Sequence, residues 1–341
     1  MPPDITATMN SSLHPRAGSL SALPARGFGL LALLACWLAM LVSARATILT
    51  ENFTADPLQN GWQIYGDTNL FSWDSINQNL DVTWDSSQTN SYFYRPLGTI
   101  LAKSDAFSLA FDLQLTDIAD NSPQIVVGLI NFANATNANF SRPAVTTPNL
   151  FEFDYYADNT IGQPSIDATL TDTNVGPANK KDFYFVYDNQ PLNPGTTYHV
   201  VLTHAAGTTN LTGQVSVGGQ LYSSLPNVYA GPITDFRIDT VSITSYGGGS
   251  GATPAHGTVD NLVVTLPPPP VQNLAVGFTN NFWTAQFISR SNWLYTLQRT
   301  TNFSSWNNIS PATGGNGTNL FLPDTNAPAT AVFYHVKASR P

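Results

Sequence analysis

Glu152 and Asp154 come nearest, by type and spacing, to catalytic chemistry in this chain. Across residues 149–158 they alternate with Phe151, Phe153 and Tyr155. Side chains two apart in a strand share a face. Both carboxylates, with Tyr156 beyond them, would stand opposite an aromatic row. Paired carboxylates can divide the work of glycoside cleavage between acid and nucleophile or base. They can also accept hydrogen bonds from sugar hydroxyls, or simply form the wet face of a half-buried strand. A second polar pair lies in residues 107–115. There Phe107, Leu109, Phe111, Leu113 and Leu115 alternate strictly with Ser108, Ala110, Asp112 and Gln114, which sets Asp112 and Gln114 on one polar face.

Sugar recognition needs aromatic platforms beside such groups. Trp62, Trp73, Trp84, Tyr92, Tyr94, Tyr155 and Tyr156 are available. Most large aromatics serve the core; Tyr156 is the best single candidate, because it shares a face with Glu152 and Asp154. Other chemistries find little support. His199 and His204 are an odd number of residues apart on one strand, so they face opposite ways and cannot share a metal. There is no zinc spacing of Cys and His, no Gly-x-Ser-x-Gly elbow, no P-loop and no dinucleotide fingerprint.

The chain of 341 residues has a charged fraction of only 10% and an aromatic fraction of 11%. Few charges with many Asn, Thr, Ser, Gly and Pro suit an exported all-β protein rich in turns, and the aromatics exclude a disordered chain. Residues 1–46 read as an export signal. Arg16 and Arg26 precede the apolar run 27–42, and Ala44-Arg45-Ala46 fits a cleavage site after Ala46. An anchor through Cys36, which follows Leu33-Leu34-Ala35, or through the uncleaved apolar run are the alternatives. Removal of 1–46 takes the net charge from −9 to −11, with 10 basic and 21 acidic residues left. That balance speaks against nucleic acid or an anionic membrane as partner, and no membrane insertion is expected after cleavage. Cys36 is the sole cysteine, so the mature chain is expected outside the cell, in the periplasm or at the cell surface, held by its core without disulfides.

The elements that must position these groups are short strands. Apolar runs at 62–65, 69–73, 79–84, 91–95, 107–115, 124–130, 165–171, 183–187, 197–204, 211–217, 236–244 and 258–266 are separated by turn signals such as Asn193-Pro194-Gly195 and Gly218-Gly219. Residues 131–148 read as a long loop and 246–257 as a flexible one. So many short strands exceed one open sheet and predict two stacked antiparallel sheets, a jelly-roll sandwich over 47–266. The tetraproline 267–270 predicts a stiff linker. Residues 271–341, with runs at 274–278, 283–289, 295–299 and 333–338, predict a small immunoglobulin- or fibronectin-like β-sandwich.

Three stretches carry a family resemblance: Glu51-Asn-Phe53 with Gly61-Trp62; Phe151-Glu-Phe-Asp-Tyr155; and Gly257-Thr-Val-Asp260-Asn261-Leu-Val-Val-Thr265. In these, 47–266 resembles the concanavalin A-like lectin/glucanase superfamily, in its laminin-G-like, exported bacterial form. The tail, with Thr301-Asn302-Phe303-Ser-Ser-Trp306 and Phe333-Tyr334-His-Val-Lys337, is similar to a C-terminal module of such proteins. The resemblance implies a carbohydrate-related role. The superfamily's family-16 hydrolases carry Glu-x-Asp-x-Glu on one strand. Here Glu152 and Asp154 match, but Tyr156 stands where the proton-donating glutamate is required, and a version with one extra residue meets Ala157. The resemblance also suggests a structural Ca²⁺ between first and last strands, held by Glu51, Asp260 and Asp56.

These residues together predict an exported, non-catalytic protein that binds a polysaccharide or glycan surface. The alternatives are a glycoside hydrolase or lyase with a degenerate motif, and a structural envelope or matrix protein.

Overall fold

Strict alternation over 107–115 becomes the strand Phe107–Asp117. Leu109, Phe111, Leu113 and Leu115 are fully buried, and the residues between them are half-buried. A strand patterned this way must lie on a core with one face and on solvent with the other. It pairs antiparallel with Thr197–His204 on one side and Ala255–Leu266 on the other. The structure, a computed structural model, describes residues 46–140, 147–158, 163–174, 183–225, 233–248, 252–279, 282–328 and 332–341, together with the strand Ile5–Thr8.

Among the described residues the larger unit has two antiparallel sheets. One runs Gln220–Leu225, Leu211–Val217, Thr197–His204, Phe107–Asp117, Ala255–Leu266, Asn79–Trp84, Phe71–Asp74, and its strand Thr47–Glu51 adds to Ala255–Leu266. The other runs Phe183–Asp188, Ser165–Thr171, Leu150–Tyr156, Ile125–Ile130, Ile238–Ser245, Ser91–Leu101, Gln63–Tyr65. The inner faces meet in a single core. Phe111 stands edge-on to Phe153 at 5.6 Å between ring centroids, and Phe107 to Phe151 at 5.0 Å. Burying each such ring contributes roughly 1.5–3 kcal/mol. This is the two-sheet antiparallel jelly-roll sandwich that the strand pattern predicts.

The chain divides into two compact units, one holding Thr47–Pro267 and the other Pro268–Pro341 with Ile5–Thr8. The smaller unit is also a two-sheet sandwich. Val271–Thr279, Phe282–Ser289 and Asn319–Asp324 form three strands of one sheet. Ile5–Thr8, Phe333–Ser339, Leu294–Thr300, Asn307–Asn308 and Thr313–Gly314 form the other. Trp283 stacks on Tyr334 at 3.9 Å, and Trp293, Tyr295 and Leu297 are buried. Asp324 accepts from Arg299 Nη1 at 2.6 Å and from the Tyr334 hydroxyl at 2.9 Å. Burial, with that carboxylate beside it, pushes the Tyr334 hydroxyl up to about 12. Of the segment assigned to an export signal, Ile5–Thr8 pairs with Phe333–Ser339; residues 1–4 and 9–45, Cys36 among them, lie outside the described residues.

Among the described residues, the strands Gln220–Leu225 and Asn319–Asp324 escape the sequence reading, as do Ile5–Thr8 and the two-residue Asn307–Asn308 and Thr313–Gly314. The predicted loop 131–148 carries a single turn of helix at Phe132–Ala135.

Candidate ligand groove

The outer face of the seven-stranded sheet is assembled in rows. One row runs Asp167, Asp154, Val126, Thr244, Tyr92, Tyr65, each the direct neighbour of the next on adjoining strands. Beside it run Thr169, Glu152, Gly128, Ser242, Tyr94, Gln63. The carboxylates therefore stand on the face opposite Phe151, Phe153 and Tyr155, as period two requires. That face is not wet at its centre. Glu152 is 0% exposed and Asp154 1%. The Tyr246 hydroxyl donates to Glu152 Oε1 at 2.5 Å. Gln124 Nε2 donates to Asp154 Oδ1 at 2.5 Å and the Thr169 hydroxyl to Oδ2 at 2.7 Å. Glycine at 128 is what lets Glu152 lie down: a Cβ there would stand 2.5 Å from Glu152 Cγ. Tyr156, half-buried, is the last residue of its strand and sits opposite Ser165. Glu152 and Asp154, two of the candidate ligand groups, are thus buried and bonded within the chain, while Tyr156 is half-buried.

Asp112 and Gln114 belong to the other sheet and face away from it, because Phe111 and Leu113 fill the core. They lie on the opposite outer side of the sandwich from Glu152 and Asp154, so the five predicted ligand groups cannot line one groove. Asp112 accepts from Asn261 Nδ2 at 2.8 Å and bonds His199 Nδ1 at 2.7 Å; Gln114 donates to Thr197 Oγ1 at 3.0 Å and to the Gly195 carbonyl at 3.1 Å. His204 faces inward, buried against Phe107 at 4.9 Å.

Of the residues suggested as calcium ligands, Glu51 lies close enough for its charge to act on Asp260. The first and last strands of the unit do pair, Glu51 opposite Leu262. Both Glu51 oxygens, however, accept internal donors: Oε1 the Phe53 N–H and Oε2 the Trp62 indole N–H, each at 2.9 Å. Asp56 caps the short helix Pro57–Asn60 by accepting from the Leu58 N–H at 2.9 Å. Asp260 stands opposite Asp112. Burial raises its carboxyl above the usual range against the pull of the Asn261 N–H, and the charges of Asp112 and Glu51 raise it further. No group of three His, Cys, Asp or Glu able to hold a metal occurs among the described residues.

Of the predicted platforms, Trp62, Trp84, Tyr92 and Tyr155 are core residues, and Trp73 is half-buried with its indole N–H on the Phe53 carbonyl at 2.8 Å. The outer face opens elsewhere. At the Gln63–Tyr65 edge lies a groove of about 570 Å³, lined by Tyr65, Gly66, Gln88, Thr89, Asn90, Ala135, Thr136, Asn137, Ala138, Phe140, Gly247 and Gly248. That volume is in the range of small-ligand sites, about 300–1,000 Å³. Tyr65 is 43% exposed. Its ring is held edge-on to Phe132 at 5.9 Å and tilted on Tyr92 at 6.0 Å.

Three loops build the walls. In the first, Asp85 Oδ1 accepts from the Ser87 N–H at 2.9 Å and its hydroxyl at 2.7 Å, while the Asp85 N–H donates to Ser245 Oγ at 2.9 Å. The Ser87 hydroxyl bond holds the Asp85 carboxyl below its ordinary value. In the second, the Gly247 N–H donates to Asn90 Oδ1 at 2.8 Å and the Gly248 N–H to the Ser86 carbonyl at 3.0 Å. A Cβ at Gly247 would collide with the Gln88 carbonyl. In the third, Asn131 caps the Phe132–Ala135 turn. Asp239 Oδ1 accepts the Phe132 N–H at 3.0 Å, Asn134 Oδ1 accepts from Asn149 Nδ2 at 2.7 Å, and the Tyr92 hydroxyl donates to the Ala135 carbonyl at 2.8 Å. Burial raises the Asp239 carboxyl above its usual range. The sequence reading missed Tyr65. With Trp62 taken inward, period two turns Gln63 and Tyr65 outward, and that signal was there. Gln88, Asn90 and Asn137 sit in loops with no period to reveal them.

No family model matches the chain, and no curated protein matches it. Among solved structures it is similar to the carbohydrate recognition domain of Emp47p (10% identity, 67% of this chain and 99% of that one, TM-score 0.44). It is also similar to the alginate lyase Aly36B (14%, 64% and 96%, TM-score 0.41) and to the endo-1,3-β-glucanase of Streptomyces sioyaensis (14%, 65% and 96%, TM-score 0.39). These are concanavalin A-like jelly-roll folds. At 10–14% identity no residue role passes from them to this chain.

Proposed function

We propose that this protein is an exported, non-catalytic glycan-binding protein, acting at a polysaccharide or glycan surface through the groove at Tyr65. The observation that carries the reading is the groove's lining. A fixed, part-exposed tyrosine ring lies beside the amides of Gln88, Asn90 and Asn137 and the backbone of Gly66, Gly247 and Gly248. A ring face for the C–H side of a sugar, with amides and peptide groups for its hydroxyls, is the combination that sugar binding requires. The carboxylates support binding rather than cleavage. Asp154 is four strands from Tyr65, roughly 19 Å at about 4.8 Å per strand. It and Glu152 are closed to solvent, and no Asp or Glu is among the described residues that line the groove. The acidic exported chain and the signal-like residues 1–46 support a place outside the cytoplasm.

The test is paired. The full chain is run through native gels cast with soluble polysaccharides and assayed for turnover of the same polymers. The expected result is retardation by at least one polymer without turnover, weakened in Tyr65→Ala. Turnover abolished by Glu152→Gln would replace the reading with a hydrolase or lyase.

A further inference from the structure

We infer that the groove selects uncharged polysaccharide over acidic or sulfated polymers, and does so without a metal bridge; this rests on the glycan-binding reading and narrows it. None of the twelve described residues that line it is Lys, Arg, His, Asp or Glu. A carboxylate or sulfate group pays heavily to leave water unless a charged partner or several strong donors meet it. This groove supplies neutral amides, one hydroxyl-bearing ring, two threonines and peptide groups. Neutral hydroxyls exchange water for such groups at little net cost.

The surroundings oppose an anion further. Asp85 lies at the foot of the Gln88 loop, bonded to Gln88 Nε2 at 3.3 Å, and Ser87 keeps its carboxyl ionised. Asp67 directly follows Gly66, its Oδ1 taking the Asn69 N–H and side-chain amide at 2.9 Å. The chain as a whole carries −9. A polyanion approaching this rim meets like charge at close range, where screening is weakest. The described lining also offers a calcium ion only neutral amide and peptide oxygens, with no carboxylate to balance its charge.

The experiment is affinity electrophoresis and calorimetry on the full chain, at low and at high salt, with and without chelator. The neutral probes are mixed-linkage β-glucan, xyloglucan and galactan; the acidic ones are polygalacturonate, alginate and chondroitin sulfate. Binding to a neutral polymer is expected, unchanged by salt and chelator and weakened roughly tenfold or more by Tyr65→Ala. Gln88→Ala, at an exposed loop position, gives a second reading where Tyr65→Ala lowers the melting temperature. Thr89→Lys should bring new, salt-sensitive binding of an acidic polymer. Binding of acidic polymers alone, lost in Tyr65→Ala, overturns the neutral selectivity and leaves glycan binding standing. Loss of binding in chelator overturns the metal-free part. Retardation by no polymer of either class overturns both readings.

Discussion

At the scale of single residues, the larger unit rests on a few side chains that accept donors buried with them. Glu51 takes the Phe53 N–H and the Trp62 indole, both in the core. Glu51→Ala leaves two buried donors unmet, at about 1–3 kcal/mol each, so its denaturation midpoint should fall well below that of the parent. If these donors, and no ion, satisfy Glu51, added Ca²⁺ and chelator leave the parent's melting temperature unchanged; a Ca²⁺-dependent rise would restore the ion. Gly128→Ala meets the Glu152 side chain and the Phe151 carbonyl within 3 Å. The expected loss is roughly 1–3 kcal/mol, read as a lower urea midpoint at unchanged slope. His204 supplies a pH dependence. Burial, outweighing the bonds to the Asp105 and Thr208 carbonyls, lowers its imidazole below the ordinary 6.5. Between 6.5 and the depressed folded value the unfolded chain holds more protons, so the contribution is complete above 6.5 and is lost as pH falls through the folded value. His204→Gln should remove that part of the slope in stability measured from pH 7.5 to 5.0, taken as the parent-minus-variant difference.

At the scale of elements, the Phe132–Ala135 turn beside the groove is fixed by polar bonds more than by its own helicity, since one turn nucleates poorly. Asp239 is the anchor, accepting the Phe132 N–H and bonding Asn131 Nδ2 at 3.4 Å. Asp239→Ala should speed amide exchange at Ala135 and Thr136, whose donors close the turn on Asn131 and Phe132, while the Leu109–Leu115 amides keep their protection; uniform loss of protection would show a global role instead. These elements also show what could be read in advance. Phe107–Asp117 declares itself because one of its faces is dry and the other wet. Leu150–Tyr156 carries the same alternation, yet its outer carboxylates are buried. Tyr246, Gln124 and Thr169 are distant in sequence, and nothing local records their arrival. Gln220–Leu225 was missed because it is an edge strand whose Leu221 is 64% exposed, so its pattern is neither period two nor a dense run. The groove was the least legible part. Its first wall is fixed by Asp85 reaching Ser245, 160 residues away, and no spacing along the chain can announce such a bond.

At the scale of the molecule, the two compact units each carry their own core. The span 47–267 is therefore expected to fold alone, unfold in one cooperative step and keep the groove's affinity. Calorimetry and the binding assay on that fragment check this, and a broad or absent transition would show that the core is not self-sufficient. One feature of that span reaches into its mechanics. Thr47–Glu51 lies antiparallel against the last strand, Thr47 opposite Leu266 and Glu51 opposite Leu262. The polypeptide thus enters and leaves at one corner. A load that pulls those two ends apart falls on the rungs one at a time, beginning at Thr47 and Leu266. Such a ladder unzips at low force where a sheared one would resist. The first strand would peel back to Glu51, where the pair of buried donors on its carboxylate provides the first firm stop.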